Sequence, residues 1–442
     1  MADYLPANVG YATSKLGEYS RNRYKLIPTS ADTLRPNGQL NIPLPEGSIC
    51  DLRSLRLFFK VTCEGATGGG DTVYARCPAD AQSFFSRLVV NLNGVQINGS
   101  SSEWNSYCKM SKICRTAMDK DQSVDRALQH GAISVAAENE VARMCVADWP
   151  GTFFGSSSTR FVHTGMLGSL VMTGTLAGND ILVPVGATSS DITLTSAEEA
   201  IAGGIKYSIS EIYATIDCIS LSSLYDEMLM ARLAQDDIKI NYKEVYSFTQ
   251  EGLTSGSSTT RYSLATRSLD KVFGTYRRGD HMSVGKEAYS LDDSIGDAYV
   301  ANKFRYGIYD NVSTPAVKHQ FSINNTPYPQ YKADTLLEGL ADTFYAVEDD
   351  DMGEKGRGNL VNSQIDYNDG RGVVALRLDH PCGMKPETRV ASGLSTLGVN
   401  MAATWAVDGQ TSLPSGGVAS LVVCETTPQL VVGVGKMVSV NY

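Results

Sequence analysis

The sequence predicts an all-β fold, two tandem eight-stranded jelly-roll barrels with short helical insertions. Three observations carry that expectation. Short segments of alternating apolar and polar residues recur along the 442 residues. Turns rich in glycine separate them, and Gly is 41 of 442 residues, above a usual share of about 7%. One hairpin pattern is written twice, as "SRLVVNLNGVQING" (Ser86–Gly99) and as "HQFSINNTPYPQY" (His319–Tyr331). Many short strands with such turns indicate a sandwich or jelly roll, and a repeat half a chain apart indicates two of them. The length suits two domains of about 200 residues each.

Residues 1–30 are polar and rich in Tyr, Ser and Asn, and read as an N-terminal arm. The first jelly roll is expected over 31–223. "LNIPLPEGSICDLRSLRLFFKVTC" (Leu40–Cys63) gives a short strand, a turn at Pro45–Gly47 and a long strand. Leu55, Leu57, Phe59, Val61 and Cys63 share one face of that strand, the period of two that marks a half-buried strand. Leu88, Val90 and Leu92 then lead into Asn93-Gly94. That dipeptide is the strongest short hairpin signal, because a type I′ turn needs positive φ at both central residues. A helical insertion is expected near 102–144. Strands resume at Thr159–Gly174, Asp180–Gly186 and Asp191–Thr195, and "KYSISEIYATIDCISL" (Lys206–Leu221) closes the half with Ile212, Ala214, Ile216 and Cys218 on one face.

A helical linker is expected over 224–237 and the second jelly roll over 238–442. Its strands are read at Ile238–Gln250, a weaker one at Ser268–Arg277, the second hairpin, Gly372–His380, Thr396–Val407, Ala419–Thr426 and Gln429–Tyr442, with a helical patch at Lys332–Val347. Val90 maps to Phe321 and Ile216 to Val438 in this alignment of the halves. Pro327 and Pro329 weaken the second return strand or place it on an edge.

The net charge of −10 argues against a nucleic-acid coat, which needs Lys and Arg to neutralise phosphates. Nine cysteines, several inside apolar strand patterns, form no disulfide framework; they read as small core residues in a reducing compartment. The N-terminus has no apolar run of the kind a signal peptide needs, and no stretch reaches the length of a membrane span. The five histidines (His130, His163, His281, His319, His380) are scattered, with none at ligand spacing. No nucleophile elbow and no phosphate-binding loop occurs. Glu348, Asp349, Asp350 and Asp351 cluster in "VEDDDMGE", which reads as a solvated acidic loop and does not match a calcium-binding loop. Arg278-Gly279-Asp280 is the tripeptide that integrins read, in a polar loop. The expectation is no catalytic, cofactor-binding or metal-binding residue, no cofactor and no enzymatic activity.

Three stretches resemble a known family. "GSICDLRSLRLFFKV" running into "FFSRLVVNLNGVQIN", "SEIYATIDCISLSSLYDEMLMARLA", and the tail "LVVCETTPQLVVGVGKMVSVNY" are similar in order and spacing to the double jelly-roll major capsid proteins. That lineage includes large eukaryotic DNA viruses, adenovirus hexon and tailless membrane-containing phages. Two departures stand out: Asp270 and Lys271 interrupt a strand of the second barrel, and long tower-like loop insertions are missing. The resemblance implies a viral major capsid protein with a structural role. It implies a homotrimer of pseudo-hexameric outline that tiles an icosahedral shell in the virion. Expected partners are neighbouring capsomers, minor capsid and penton proteins, and an internal membrane among those the lineage allows; no sequence-specific nucleic acid binding is expected. Assembly is expected inside the host cell in a reducing compartment, with the N-terminal arm and C-terminal tail reaching neighbours or an internal layer. The alternative is a tandem jelly-roll glycan- or receptor-binding protein, spike-like. A cupin-type enzyme is a third reading, and it requires histidines that converge inside one barrel.

Overall fold

The computed structural model describes residues 20–78, 80–113, 139, 141–186, 194–220, 227, 231, 237–253, 257–284, 301–306, 316–333, 338, 341–343, 346, 372–379, 393–408 and 417–442. The first half opens with β1 (Ser20–Leu26), β2 (Gln39–Pro43), β3 (Ile49–Asp51) and β4 (Arg56–Glu64). Two short strands, β5 (Ala66–Gly68) and β6 (Asp71–Arg76), precede the hairpin of β7 (Phe85–Leu92) and β8 (Val95–Asn98). Helix α1 (Trp104–Ile113) follows, then β9 (Val141–Val146), α2 (Phe153–Ser156), β10 (Phe161–His163) and α3 (Thr164–Leu167). The half ends with β11 (Leu170–Leu176), β12 (Val183–Gly186), α4 (Ser196–Ala202) and β13 (Lys206–Ser220).

The second half runs β14 (Ile238–Asn241), β15 (Glu244–Leu253), β16 (Ser257–Ser263), β17 (Leu269–Arg278), β18 (Ala316–Ile323) and β19 (Thr326–Ala333). It continues with β20 (Val374–Arg377), β21 (Asn400–Asp408), β22 (Val418–Thr426), β23 (Gln429–Val432) and β24 (Val438–Asn441).

Pairing shows why the hairpin recurs. In the first half one sheet places β1, β13, β4 and β9 side by side, and the other is β2-β11-β7-β8. In the second half the sheets are β15-β22-β17-β20 and β16-β21-β18-β19. The two orders match position by position, and the hairpins β7–β8 and β18–β19 occupy the same place. Val90 therefore corresponds to Phe321, as the sequence alignment has it. Both turns have positive φ at both central residues: Asn93 (50°) and Gly94 (82°), Asn324 (52°) and Asn325 (62°). Strand β19, with Pro327 and Pro329, lies on a sheet edge. Further strands stand outside this shared pattern. β3 and β10 extend the first sheet, and β12-β6-β5 and β14-β23-β24 form two small sheets of their own.

Strand β4 shows the local rule. Leu57, Phe59, Val61 and Cys63 are buried, and Arg56, Phe58, Lys60 and Thr62 are half-exposed. Inside, the Phe59 ring meets Phe84 and Phe85 edge-on, with centroids 5.7 and 5.8 Å apart. Outside, Phe58 stacks on Tyr213 at 5.1 Å. In β13, Ala214, Ile216 and Cys218 are buried as expected; a bulge between Ser210 and Tyr213, with Glu211 at φ 52°, breaks the register nearby.

Several expectations change. A short strand, β3, and a 3-10 turn at Leu52–Ser54, where Asp51 accepts the Arg53 N–H, come before the expected long strand, which runs Arg56–Glu64. Part of the expected arm is strand: Ser20–Leu26 pairs with β13 along its whole length, and residues 1–19 lie outside the described residues. The closing strand of the second half is β22, between β15 and β17, so Ile216 corresponds to that strand and not to Val438. Val438 lies in β24, which pairs with β23 and packs near β8 of the same chain. The tail therefore docks on its own first half. Of the helical insertion expected near 102–144, Trp104–Ile113 is helix and residues 141–144 belong to strand β9, where they pair with β4; residues 114–138 and 140, most of the linker, residues 191–193 and the acidic run at 348–351 lie outside the described residues. Among the described residues no helix is long and apolar enough to cross a membrane.

Candidate functional site: the seam between the two halves

For a chain built as two similar halves, the groups that fix one half against the other define its shape. They come from three places: the end of β8 with α1, the entry to β15, and the strands β17 and β22. Sequence patterning placed none of them together.

Lys243, just before β15, is the centre. Its Nζ lies 2.6 Å from Asp270 Oδ2 and 2.9 Å from Glu425 Oε1, and all three residues are buried. Asp270 also accepts from Ser268 Oγ at 2.7 Å and from Thr427 Oγ1 at 2.5 Å. The first half reaches this cluster through α1: Tyr107 Oη donates to Glu425 Oε2 at 2.9 Å, and the Tyr107 ring meets Phe273 of β17 edge-on at 6.0 Å. Asn98 Nδ2, at the end of β8, donates to the Lys243 carbonyl at 3.4 Å. The Tyr242 hydroxyl donates to the Ile97 carbonyl, and Ser100 Oγ donates to Glu244 Oε1 at 2.7 Å. Burial pushes the Glu244 carboxyl up, and the bonds from Ser100 and Tyr246 only partly offset it.

A second ionic contact lies along the same seam. Arg277 of β17 is fully buried, and its Nη1 lies 3.2 Å from Glu103 Oε2 at the start of α1. Ser106 Oγ donates to the same carboxylate at 2.6 Å, and Tyr306 Oη donates to the Ser106 carbonyl at 3.3 Å. Burial alone would raise Glu103; Arg277 and Lys303 beside it outweigh burial and hold its carboxyl below the usual range. Lys303 Nζ in turn reaches Asp180 Oδ2 of the first half at 2.7 Å. Gly151, at φ 64°, lets the backbone approach: a Cβ there would stand 2.3 Å from Val245 and 2.7 Å from the Tyr107 ring. One continuous apolar core runs through the contact, joining Phe153, Val146 and Leu55 to Ile240, Leu421 and Leu430.

These bonds set geometry more than they add stability. A buried ion pair roughly offsets its own desolvation, whereas losing one partner leaves an uncompensated charge. Apolar contact alone tolerates sliding; directional bonds at fixed distances do not.

The candidates for chemistry sit apart from the seam. His163 Nδ1 accepts the Met166 N–H at 3.1 Å and so caps α3. His281 and His319 are buried, and His130 and His380 lie outside the described residues. In the integrin-type tripeptide, Asp280 Oδ1 accepts from Asn302 Nδ2 at 3.1 Å; the Arg278 side chain is outside the described set. Among the described residues no group of three or more His, Cys, Asp or Glu side chains is placed to hold a metal ion.

No protein-family model matches the sequence, and no curated protein matches it at a significant level. Solved structures do. The chain is similar to the capsid of PBCV-1 virus, with TM-score 0.60 and 11% identity, over 96% of this chain and 97% of that one. It is similar to a chain of the Sputnik virophage, with TM-score 0.52 and 12% identity over 95% and 88%. It is similar to the Faustovirus major capsid protein, with TM-score 0.53 and 10% identity over 93% and 90%.

The fold is the double jelly roll of viral capsid proteins. At these identities the likeness speaks for the fold, and it spans nearly the full length of both partners in each comparison. Asp270 and Lys271 interrupt the alternation at a bulge, where the register of β17 against β22 shifts between Leu269 and Lys271, and the Asp270 carboxylate there is held by Lys243, Ser268 and Thr427.

Proposed function

We propose that this chain is a viral major capsid protein, a structural subunit whose trimers tile an icosahedral shell. One observation carries the reading: the same two-sheet strand order occurs twice in a chain aligned end to end with double jelly-roll capsid folds. Three chains with two similar rolls each present six similar units around a threefold axis, which suits a hexagonal lattice position. The ion-paired seam supports this, because the outline of such a capsomer depends on a constant angle between the rolls. In this reading the division falls in the segment 224–237, with the first roll on one side and the second from residue 238. The partners are two further copies, neighbouring capsomers, and minor capsid and penton proteins; the place is the virion. The role is mechanical, with no enzymatic step.

The mass of the purified chain in solution, by light scattering, tests this. A species of three chains that grows into sheets or shells is the expected result. A stable monomer that never associates at raised concentration, and that binds glycans instead, would overturn it.

A further inference from the structure

Strand β3 meets β13 over a two-residue ladder in which Cys50 stands opposite Cys218 and Ile49 opposite Ile219. The two sulfurs are 3.4 Å apart, and both residues are buried. Directly opposed residues of an antiparallel ladder have Cα atoms about 4.5–5.5 Å apart. That lies inside the span of roughly 4.4–6.8 Å that a disulfide bridges. The sulfurs need to close by only about 1.4 Å to reach bonding distance, a movement that side-chain rotation supplies. The pair has no part in the seam and none in the reading of the chain as a shell subunit.

We propose that Cys50 and Cys218 form a built-in oxidation site, two thiols in the cell that become one disulfide when the folded protein meets peroxide. Cys218 is the attacking sulfur. The contact between the two sulfurs pulls the Cys218 thiol down to about 7, against burial and the Asp217 carboxylate, and pushes Cys50 up. Ser48 is half-buried beside the pair, with its Oγ 3.8 Å from Cys50 Sγ.

The reaction runs in two steps. The Cys218 thiolate attacks one oxygen of hydrogen peroxide, the O–O bond breaks, and hydroxide leaves, so that Cys218 becomes a sulfenic acid. The Cys50 sulfur then attacks Cys218 Sγ, the S–O bond breaks, and the oxygen departs as water with the Cys50 proton. The hydroxide takes up the proton that Cys218 first released. Two thiols are oxidised, and one peroxide is reduced to two waters.

The product ties positions 168 residues apart. Loops of that length lose the most freedom in the unfolded chain when they are closed. The link would fasten β3 to the strand that closes the first roll.

The test uses the folded, unaltered chain. It is treated with dilute hydrogen peroxide, its remaining thiols are alkylated, and its peptides are mapped without reduction. The expected result is a dominant peptide joining Cys50 to Cys218, a loss of two titratable thiols per chain, and a thermal midpoint raised by several degrees. In Cys50→Ser, dimedone should trap a sulfenic acid on Cys218; in Cys77→Ser the link should still form. Oxidation of Cys218 to sulfinic acid with Cys50 left free, or a link that appears only in denaturant, would overturn the proposal. Either result would leave the capsid reading untouched, since that reading is tested by association state.

Discussion

Strands β4 and β17 hold the same position in the two halves, each between the closing strand and the strand beyond it. They could hardly differ more. β4 alternates cleanly, with four apolar side chains inward and polar or aromatic ones half-exposed. In β17 every side chain from Leu269 to Arg277 is buried, including Asp270, Lys271, Thr275 and Arg277. The first strand has one covered face. The second has two, one against its own roll and one against the seam. A strand covered on both sides loses its period of two, and what replaces it here is a row of buried charges, of which Asp270 meets Lys243 and Arg277 meets Glu103. Irregularity in the sequence of β17 is thus a mark of contact between units.

The largest effect should come from breaking that row. Asp270→Ala leaves Lys243 and Glu425 without the third member of their cluster, and a broken buried pair costs about 3–5 kcal/mol. Urea unfolding should show that loss. The matching change on the β4 side is Glu211→Ala, which removes exposed pairs with Arg143 at 2.7 Å and Lys60 at 3.6 Å. Surface pairs of this kind contribute about 0–1 kcal/mol, so its midpoint should barely move. Equal losses in the two variants would remove the contrast.

A second difference sharpens the comparison by pH. Where β7 has Leu88, β18 has His319, two positions before Phe321. Burial pushes His319 down to about 4, with Glu338 partly opposing it. The unfolded chain takes up a proton at about 6.5, and the folded chain declines it until about 4. Stability is therefore in place above pH 6.5 and falls as pH drops from there toward 4, by roughly 2–4 kcal/mol. His319→Leu, which writes the first half's residue into the second, should flatten this dependence in unfolding measured across that range.

The smallest effect lies in the turns. The first hairpin uses Asn93-Gly94 and the second Asn324-Asn325, all at positive φ. Asn325→Gly copies the first turn into the second and should stabilise by about 0.5 kcal/mol, since glycine takes that conformation without a Cβ penalty. A loss on the same measurement would mean that the Asn325 side chain has a role beyond the turn.

Much of the fold could be read in the sequence wherever one face of a strand is wet. The hairpins, β4 and the inward face of β13 are of this kind, and so is the edge position of β19 with its two prolines. Strand β1 escaped notice because six of its seven side chains are exposed and the seventh is half-buried. It joins the sheet through its backbone, helped by Arg21 and Arg23, each 2.7 Å from Asp217. No hydrophobic period announces such a strand. The closing strand of the second half was misplaced because β23 and β24 follow it, so the final alternation belongs to a separate small sheet. The seam was the least legible part. Its members are scattered between Ile97 and Thr427, and the only local signal was the pair of charges at Asp270 and Lys271.

The strand order also governs how a newly made chain reaches this state. Ser20 pairs with Ser220, and Glu244 pairs with Thr426, so each roll is closed by segments that meet only after nearly its whole length exists. The two hairpins are the local pieces, able to form in about 1–10 μs, whereas non-local closure of this kind takes milliseconds to seconds. During that interval β4 and β17 lack the neighbour that later covers one edge, and an open strand edge is a template for pairing with another chain. A chain made in large numbers must cross that interval many times over, which makes the speed of ring closure, as much as final stability, the property on which its yield depends.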